Sequence, residues 1–530
     1  MSYLLKINVS KIILNGAEMS KKSGVDRKTA FADGLSQVID GLSKTIQELY
    51  LSDEIPWVIG YSGGKDSTAT LQVVWNAIAD LPPEKRQKPV HVISTDTLVE
   101  NPIVAIWVGH SLRKMEEAAR EQGLPIQPHR LTPDPTDSFW ANLVGKGYPA
   151  PRPKFRWCTS RLKINPSNRF IQDVVRQNGE AILVLGTRKA ESTVRAASMA
   201  KYEGTSTREL LSSHGDLDRS WVFTPVASWT NDDVWQYLMQ VKNPWGYRNK
   251  DLLGMYQGAT EDGECPLVVD TSTPSCGDSR FGCYVCTLVA QDKSMEAMVR
   301  NDQEKEWMAP LMNFRNKYLD IKQDRQHRDF RKMNGSLMVH NGRLVHGPYK
   351  QEYRITLLKA LLEAQNAVRR AAHQGEAPEI VKDFEVITIE ELDEIRRCWV
   401  VEKHEIEDCL PKIYKEVTGE DFPGRPFNDT SSFGAEDIAL LKQVCDDGGD
   451  SEGIRFQVIR ELLHIENQHR SMARRSGLYK ALDKALERGA FENEAEAEAF
   501  ALRRHDAVQE AQTGVDNAEV KSLDEIVTAA

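Results

Sequence analysis

Trp57-Val58-Ile59-Gly60-Tyr61-Ser62-Gly63-Gly64-Lys65-Asp66-Ser67-Thr68 is the stretch on which the fold turns. Three large apolar residues in a row, closed by glycine, read as a buried strand. Paired glycines follow at once, then apolar residues at helical spacing, so a helix is expected from about Asp66 to Ala79. A strand that runs through glycines into a helix leaves backbone N–H groups free to cradle an anion. Gly63 and Gly64 let the chain approach it closely, and Ser62, Ser67 and Lys65 add donors and positive charge. That chemistry suits a phosphate or pyrophosphate. It is not a Walker A loop, because G-x-x-x-x-G-K-[ST] would need glycine at Ile59 and Ser or Thr at Asp66.

On either side the pattern repeats. Residues 31–52 carry apolar positions at helical spacing, Val90-His91-Val92-Ile93 reads as a second strand, and 102–122 as its crossover helix. A weaker strand is expected near Ile126–Leu131, a clear one at Ala181–Leu185 and another at Trp221-Val222-Phe223. Thr230-Asn231-Asp232-Asp233 fits a capping box opening a helix. Short continuous strands alternating with helices predict an α/β domain with a parallel sheet covered on both faces, placed at 31–250. Residues 1–30 read as an N-terminal extension and 251–290 as a loop-rich, metal-stapled segment. A mostly helical C-terminal domain is expected over 291–490, and an acidic helical or disordered tail over 491–530.

The bulk numbers bound the partners. Lys+Arg total 68 against Asp+Glu 78, a net charge of −10, which argues against a wholly basic nucleic-acid surface but allows a local patch. No run is long and apolar enough to span a membrane, and the first residues lack the apolar core of a signal peptide, so the cytoplasm is the expected compartment. Met19 is the expected start of the globular protein rather than Met1.

Ser62-Gly63-Gly64-Lys65-Asp66-Ser67 resembles the PP-loop of the ATP pyrophosphatases, which split ATP between its α and β phosphates. Two further segments are similar to the same superfamily. One follows the second strand, Ser94-Thr95-Asp96-Thr97, where Thr95 and Asp96 are expected beside the adenosine. The other is Gly186-Thr187-Arg188-Lys189-Ala190-Glu191-Ser192-Thr193-Val194-Arg195, similar to the G-x-R-x-x-E-S-x-x-R motif of sulfonucleotide reductases. Gly186, Arg188, Glu191 and Arg195 are expected at the nucleotide, with the two arginine forks suited to phosphate oxygens. Between them, Arg156, Cys158, Arg161 and Lys163 stand in a basic, aromatic-rich loop similar to the family's W-C-T-x-x-L-K element. Neighbouring cations would lower the Cys158 pKa, so a sulfur-handling thiol and a packed structural cysteine both remain open.

Cys265, Cys276, Cys283 and Cys286 give C-x10-C-x6-C-x2-C, four thiols bunched among glycines and prolines. The close Cys283–Cys286 pair gives the bite of a metal thiolate site. Four thiolates suit structural zinc or a [4Fe–4S] cluster, and spacing alone does not separate them. A neighbouring domain that activates oxygen with ATP favours iron–sulfur, with zinc the runner-up.

Taken together, the chain resembles the DndC family of bacterial DNA sulfur-modification proteins, within the PAPS reductase/PP-loop superfamily. The resemblance implies ATP with Mg2+, a [4Fe–4S] cluster on the four cysteines, and replacement of a non-bridging DNA phosphate oxygen by sulfur. It implies DNA, DndD, DndE and a cysteine desulfurase as partners, and Lys65, Asp66 and Arg188 as the catalytic set. Sulfonucleotide reduction is not implied, since none of Cys398, Cys409 or Cys445 lies in the E-C-G-L-H element that true reductases carry. The nearest rival is a tRNA thiolase using the same adenylation chemistry. A second is a non-catalytic nucleic-acid scaffold built on the basic residues of 315–332, although the interspersed Asp320, Asp324 and Asp329 favour a solvated charged helix there.

Overall fold

Strand β1 (Trp57–Gly60) is the middle of a six-stranded sheet of order β3-β2-β1-β4-β6-β5 in this computed structural model. The structure describes residues 29–191, 196–197, 199, 210–259, 281–382, 384–426, 434–470 and 475–508. The proposed starts at Met1 and Met19, Arg195, Cys265, Cys276 and the end of the acidic tail lie outside them. β1 pairs in parallel with β2 (Val90–Thr95) on one side, Trp57 opposite Val90, and with β4 (Ala181–Val184) on the other, Trp57 opposite Ile182. β3 (Ile126–Leu131) extends one edge in parallel. β6 (Ser220–Phe223) extends the other, and the two-residue β5 (Ser212–Ser213) closes it antiparallel.

The chain thus builds outward from β1 to β3, then returns to the opposite side of β1. That reversal opens a crevice beyond the C-terminal ends of β1 and β4, where open α/β sheets bind ligands. Helices α1 (Leu35–Leu51), α2 (Lys65–Ala79), α3 (Pro102–Glu121) and α4 (Asn165–Asn178) cover the sheet. β4 is buried along its whole length, as a parallel strand covered on both faces should be. Trp57, Trp75, Trp229 and Trp235 are fully buried in this core. α5 (Asn231–Gln240) opens on the expected capping box: Thr230 Oγ1 accepts from Asp233 N at 3.1 Å and Asp233 Oδ2 accepts from Thr230 N at 2.8 Å.

α6 (Asn249–Gly258) runs into the segment read as loop-rich, with Leu252, Met255 and Tyr256 buried. Its few apolar positions are too short a pattern to show a period. One expectation needs correction: residues 315–332 do not form a solvated charged helix. The helix ends at Tyr318, and Arg315, Arg328 and Arg331 turn inward, Arg315 giving Nε and Nη2 to Cys286 O at 3.1 and 2.8 Å. Carbonyls satisfy Arg315 and Arg328, and the Asp329 carboxylate holds Arg331 at 2.7 Å, so the chain's own groups serve these cations.

The region after 290 is mainly helical, with Gln351–His373 its longest helix, interrupted by a small hairpin pairing Val339 with Leu344. It packs on the sheet domain through the turn that holds Trp140 and Val144: Trp140 Nε1 donates to Val386 O at 2.7 Å and Trp399 Nε1 to Val144 O at 2.8 Å. No helix among the described residues is long and apolar enough to cross a membrane.

Glu391 gives this region a pH signature. Its carboxylate closes a capping box on Thr388, but it is only 1% exposed and burial pushes its pKa up from 4.5 to about 7. Between those values the folded chain holds a proton that the unfolded chain has lost, so stability falls as pH rises and levels off above about 7. Glu391→Gln keeps the acceptor and removes the ionisation. Denaturant melts should match wild type near pH 4.5 and show the variant more stable by roughly 2–3 kcal/mol at pH 8.

Candidate nucleotide and thiol site

The glycine loop joins β1 to α2 at the centre of the crevice. Gly63 has φ 73°, and a Cβ there would lie 2.4 Å from Val108 Cγ2, so only glycine fits. Gly64 caps α2 in extended conformation without a side-chain cap, which leaves first-turn N–H groups for a ligand. Ser62 and Ser67 are held together, with Oγ atoms 3.1 Å apart and Ser62 N donating to Ser67 Oγ at 3.2 Å. Lys65 lies over the Tyr256 ring, its Nζ 5.3 Å from the centroid and 3.5 Å from Asp66 Oδ2.

The segment after β4 is locked onto this loop. A Cβ on Gly186 would meet Asp66 O and Thr70 Oγ1, each at 2.9 Å, so glycine permits the crossing. Arg188, 4% exposed, donates Nε to Asp66 Oδ1 at 2.7 Å and Nη1 to Trp229 O at 3.3 Å. Its guanidinium therefore ties β4, α2 and the turn before α5 together, and fixes Asp66 beside Lys65. Glu191 lies in the following turn, its N–H donating to Arg188 O at 3.2 Å.

A cavity of ≈ 470 Å³ opens over these strand ends, lined by Gly60, Ser62, Ser94, Thr95, Glu100 and Lys163 among others. Thr95 Oγ1 is 2.9 Å from Ser167 Oγ. Asp96 is turned to its own loop: Oδ1 accepts from Leu98 N at 2.8 Å and Oδ2 from Arg130 Nε at 3.0 Å. Glu100, Ser167 and Tyr256 were not singled out from sequence. They reach the site through tertiary packing, and no local pattern marks them.

Three of the described thiols, those of Cys158, Cys283 and Cys286, stand at the same edge. Cys283 bridges to Glu100, just beyond β2, with its Sγ 3.5 Å from Thr97 Oγ1, and Cys286 N donates to Cys283 O at 3.0 Å in a tight turn. Cys158 precedes a π-helical turn, Thr159–Ile164, that carries Arg161 and Lys163. The Cys158 thiol is pushed up by burial and then by nearby Cys286, opposed weakly by Arg156, so the cation-lowered thiol expected from sequence is not what the packing produces. Burial likewise lifts Cys283 to about 11, with Lys163 opposing. Lys163 Nζ stands 3.6 Å from Glu100 Oε1, and its charge is favoured by Cys283 and Glu100 against burial. Lys154, Phe155 and Arg156 are exposed beside it, and Arg161 Nη2 donates to Tyr148 OH at 3.2 Å.

Half-buried sulfur donors in a tight turn beside a lysine fit a thiolate-held iron–sulfur cluster or zinc, whose charge would favour deprotonated cysteines. Another group able to hold a metal, Glu394, Cys398 and Glu402, is already served by Arg397, which donates to Glu394 at 2.7 Å and Glu402 at 2.6 Å.

An uncharacterized protein of Methanocaldococcus jannaschii is 26% identical over 200 residues, 38% of this chain and 35% of that protein. The chain thus spans about a third of that curated relative's length. Among solved structures, the U34-tRNA thiolase NcsA from Methanococcus maripaludis with its [4Fe–4S] cluster is similar over 54% of this chain and 81% of that chain, at 12% identity and a TM-score of 0.24. Residues 56–246, the stretch that holds the glycine loop and all but the first helix of the sheet domain, match the phosphoadenosine phosphosulfate reductase domain family.

Proposed function

We propose that the chain is an ATP pyrophosphatase of the PP-loop kind that adenylates a DNA backbone phosphate and supports replacement of a non-bridging oxygen by sulfur. The observation that carries this reading is Lys163. It lines the cavity over the glycine loop, and its Nζ stands 3.6 Å from Oε1 of Glu100, whose backbone bridges to Cys283. One residue thus stands between a loop suited to phosphate and the Cys283 thiol.

In the first step a DNA phosphate oxygen attacks the α-phosphorus of ATP, forming a P–O bond as the bond to pyrophosphate breaks. The α2 amides and Lys65 stabilise charge on the departing pyrophosphate, while Arg188 positions Asp66, a carboxylate on the first turn of α2 that could serve Mg2+. In the second step sulfur at the sulfide level attacks the DNA phosphorus and AMP leaves, so no net redox is needed. Cys283 and Cys286, with Cys265 and Cys276, would hold the cluster, and with all four thiolates on its irons it would supply electrons, replenished by an external reductant, for release of sulfide from a donor. The exposed Lys154-Phe155-Arg156 segment suits contact with a polyanion. A cysteine desulfurase as sulfur source, and DndD and DndE, are the partners of this reading.

The test combines anaerobically prepared protein, cysteine desulfurase, cysteine, reductant and ATP with either DNA or tRNA. Digestion and mass spectrometry should find phosphorothioate-linked dinucleotides in the DNA arm, with one AMP formed per sulfur. Sulfur confined to tRNA bases would transfer the chemistry to the thiolase alternative. DNA binding without pyrophosphate release would leave only a scaffold.

A further inference from the structure

Tyr256 is 7% exposed and packed against the glycine loop, yet the chemistry above gives it no part. It reaches the loop from α6, which is tied to α2 at two places. Near the start of α6, Asn249 Nδ2 donates to Gln72 Oε1 at 3.1 Å, and Gln72 Nε2 donates to Val241 O at 3.0 Å. Near its end, Lys65 N donates to Tyr256 OH at 3.4 Å. Asn249 and Tyr256 stand two turns apart on α6, as Gln72 and Lys65 do on α2, so the first anchor carries the tyrosine to the opening residue of α2.

The ring gives a second hold on that same residue. Lys65 Nζ lies 5.3 Å from its centroid, within the range of a cation–π contact. Trp235 and Phe281 pack on the ring in T-shaped geometry, with centroids 5.3 and 4.8 Å away, and limit its freedom to turn. Gly64 supplies the room, because a Cβ there would lie 3.3 Å from the Tyr256 hydroxyl. The amide and the ammonium of Lys65 both rest on one side chain.

The opposing pull comes from the next residue. Asp66 Oδ2 stands 3.5 Å from Lys65 Nζ, and Arg188 keeps that carboxylate in place with a 2.7 Å bond to Oδ1. Without the ring, the ammonium would settle on this anchored carboxylate and offer less of its charge to a phosphate.

We infer that Tyr256 is a positioning residue: its ring and hydroxyl hold Lys65 off Asp66, so that the ammonium serves the triphosphate. The inference rests on the glycine loop being the nucleotide site.

Calorimetric binding of α,β-methylene ATP with Mg2+ to the full chain tests it as a double-mutant cycle. Tyr256→Leu removes ring and hydroxyl and should weaken binding about tenfold, whereas Tyr256→Phe keeps the ring and should cost about threefold or less. In a Lys65→Met background the leucine change should cost less than about twofold, because the ammonium it serves is gone. A tyrosine that only supports the fold would lose the same factor in both backgrounds, and that result overturns the inference. So does unchanged binding by Tyr256→Leu. Where the leucine variant melts early, phenylalanines carrying one, two and three ring fluorines at this position keep the shape and weaken the ring's negative face. Affinity should then fall stepwise with fluorination, and a flat series refutes the ring's role. Unchanged binding by Lys65→Met itself would overturn the glycine-loop reading, and this inference with it.

Discussion

Lys65→Ala is expected to lower pyrophosphate release by about 10²–10³-fold while leaving the fold intact. Lys65 opens α2, its ammonium held between Asp66 and the Tyr256 face, at the end of β1 where the triphosphate would lie. It is the cation of the loop itself, and its 3.5 Å contact with Asp66 is looser than that of Arg188, which is bound to Asp66 at 2.7 Å and to Trp229 O. Because Arg188 still pairs with Asp66 in the variant, no carboxylate is stranded, and the stability change should stay below about 1 kcal/mol. A coupled pyrophosphate assay with a thermal melt checks both halves. Normal release by the variant would remove this loop as the reacting site.

Cys283→Ser should abolish cluster assembly and sulfur transfer while part of the pyrophosphate release survives. Cys283 is anchored to the segment after β2 by its bridge to Glu100, and its neighbours Thr97 and Lys163 shape one wall of the sulfur site. Serine keeps the shape and loses the soft thiolate that iron requires. The glycine loop is built by β1, α2 and the Gly186–Arg188 segment, none of which rests on that sulfur. Iron and sulfide analysis with a visible spectrum of anaerobic protein gives the readout. An unchanged spectrum, or zinc in place of iron in wild type, contradicts an iron–sulfur role and demotes the cysteines to scaffolding.

Much of the sheet domain was legible because its signals are local. Apolar runs such as Ala181-Ile182-Leu183-Val184, the paired glycines and the Thr230–Asp233 box each declare themselves within a few residues. What stayed hidden depends on distant contacts. Nothing near Tyr256 indicates that its ring will cover Lys65, and nothing near Arg188 shows that its fork will hold Asp66. The basic cluster of 315–332 misled for the same reason: charge usually marks a solvated face, but here carbonyls of remote loops receive Arg315 and Arg328. The Cys158 thiol is another case, since burial and a neighbouring sulfur outweigh the cations beside it in sequence.

The most direct measurement is a crystal structure of the full chain with Mg2+ and α,β-methylene ATP. Density for the phosphates is expected over the amides of Gly64 to Ser67, with Lys65 on the β and γ groups and the nucleoside in the cavity bordered by Thr95 and Lys163. A nucleotide bound at any other place, with that crevice unfilled, contradicts both the adenylation chemistry and the assignment of the loop.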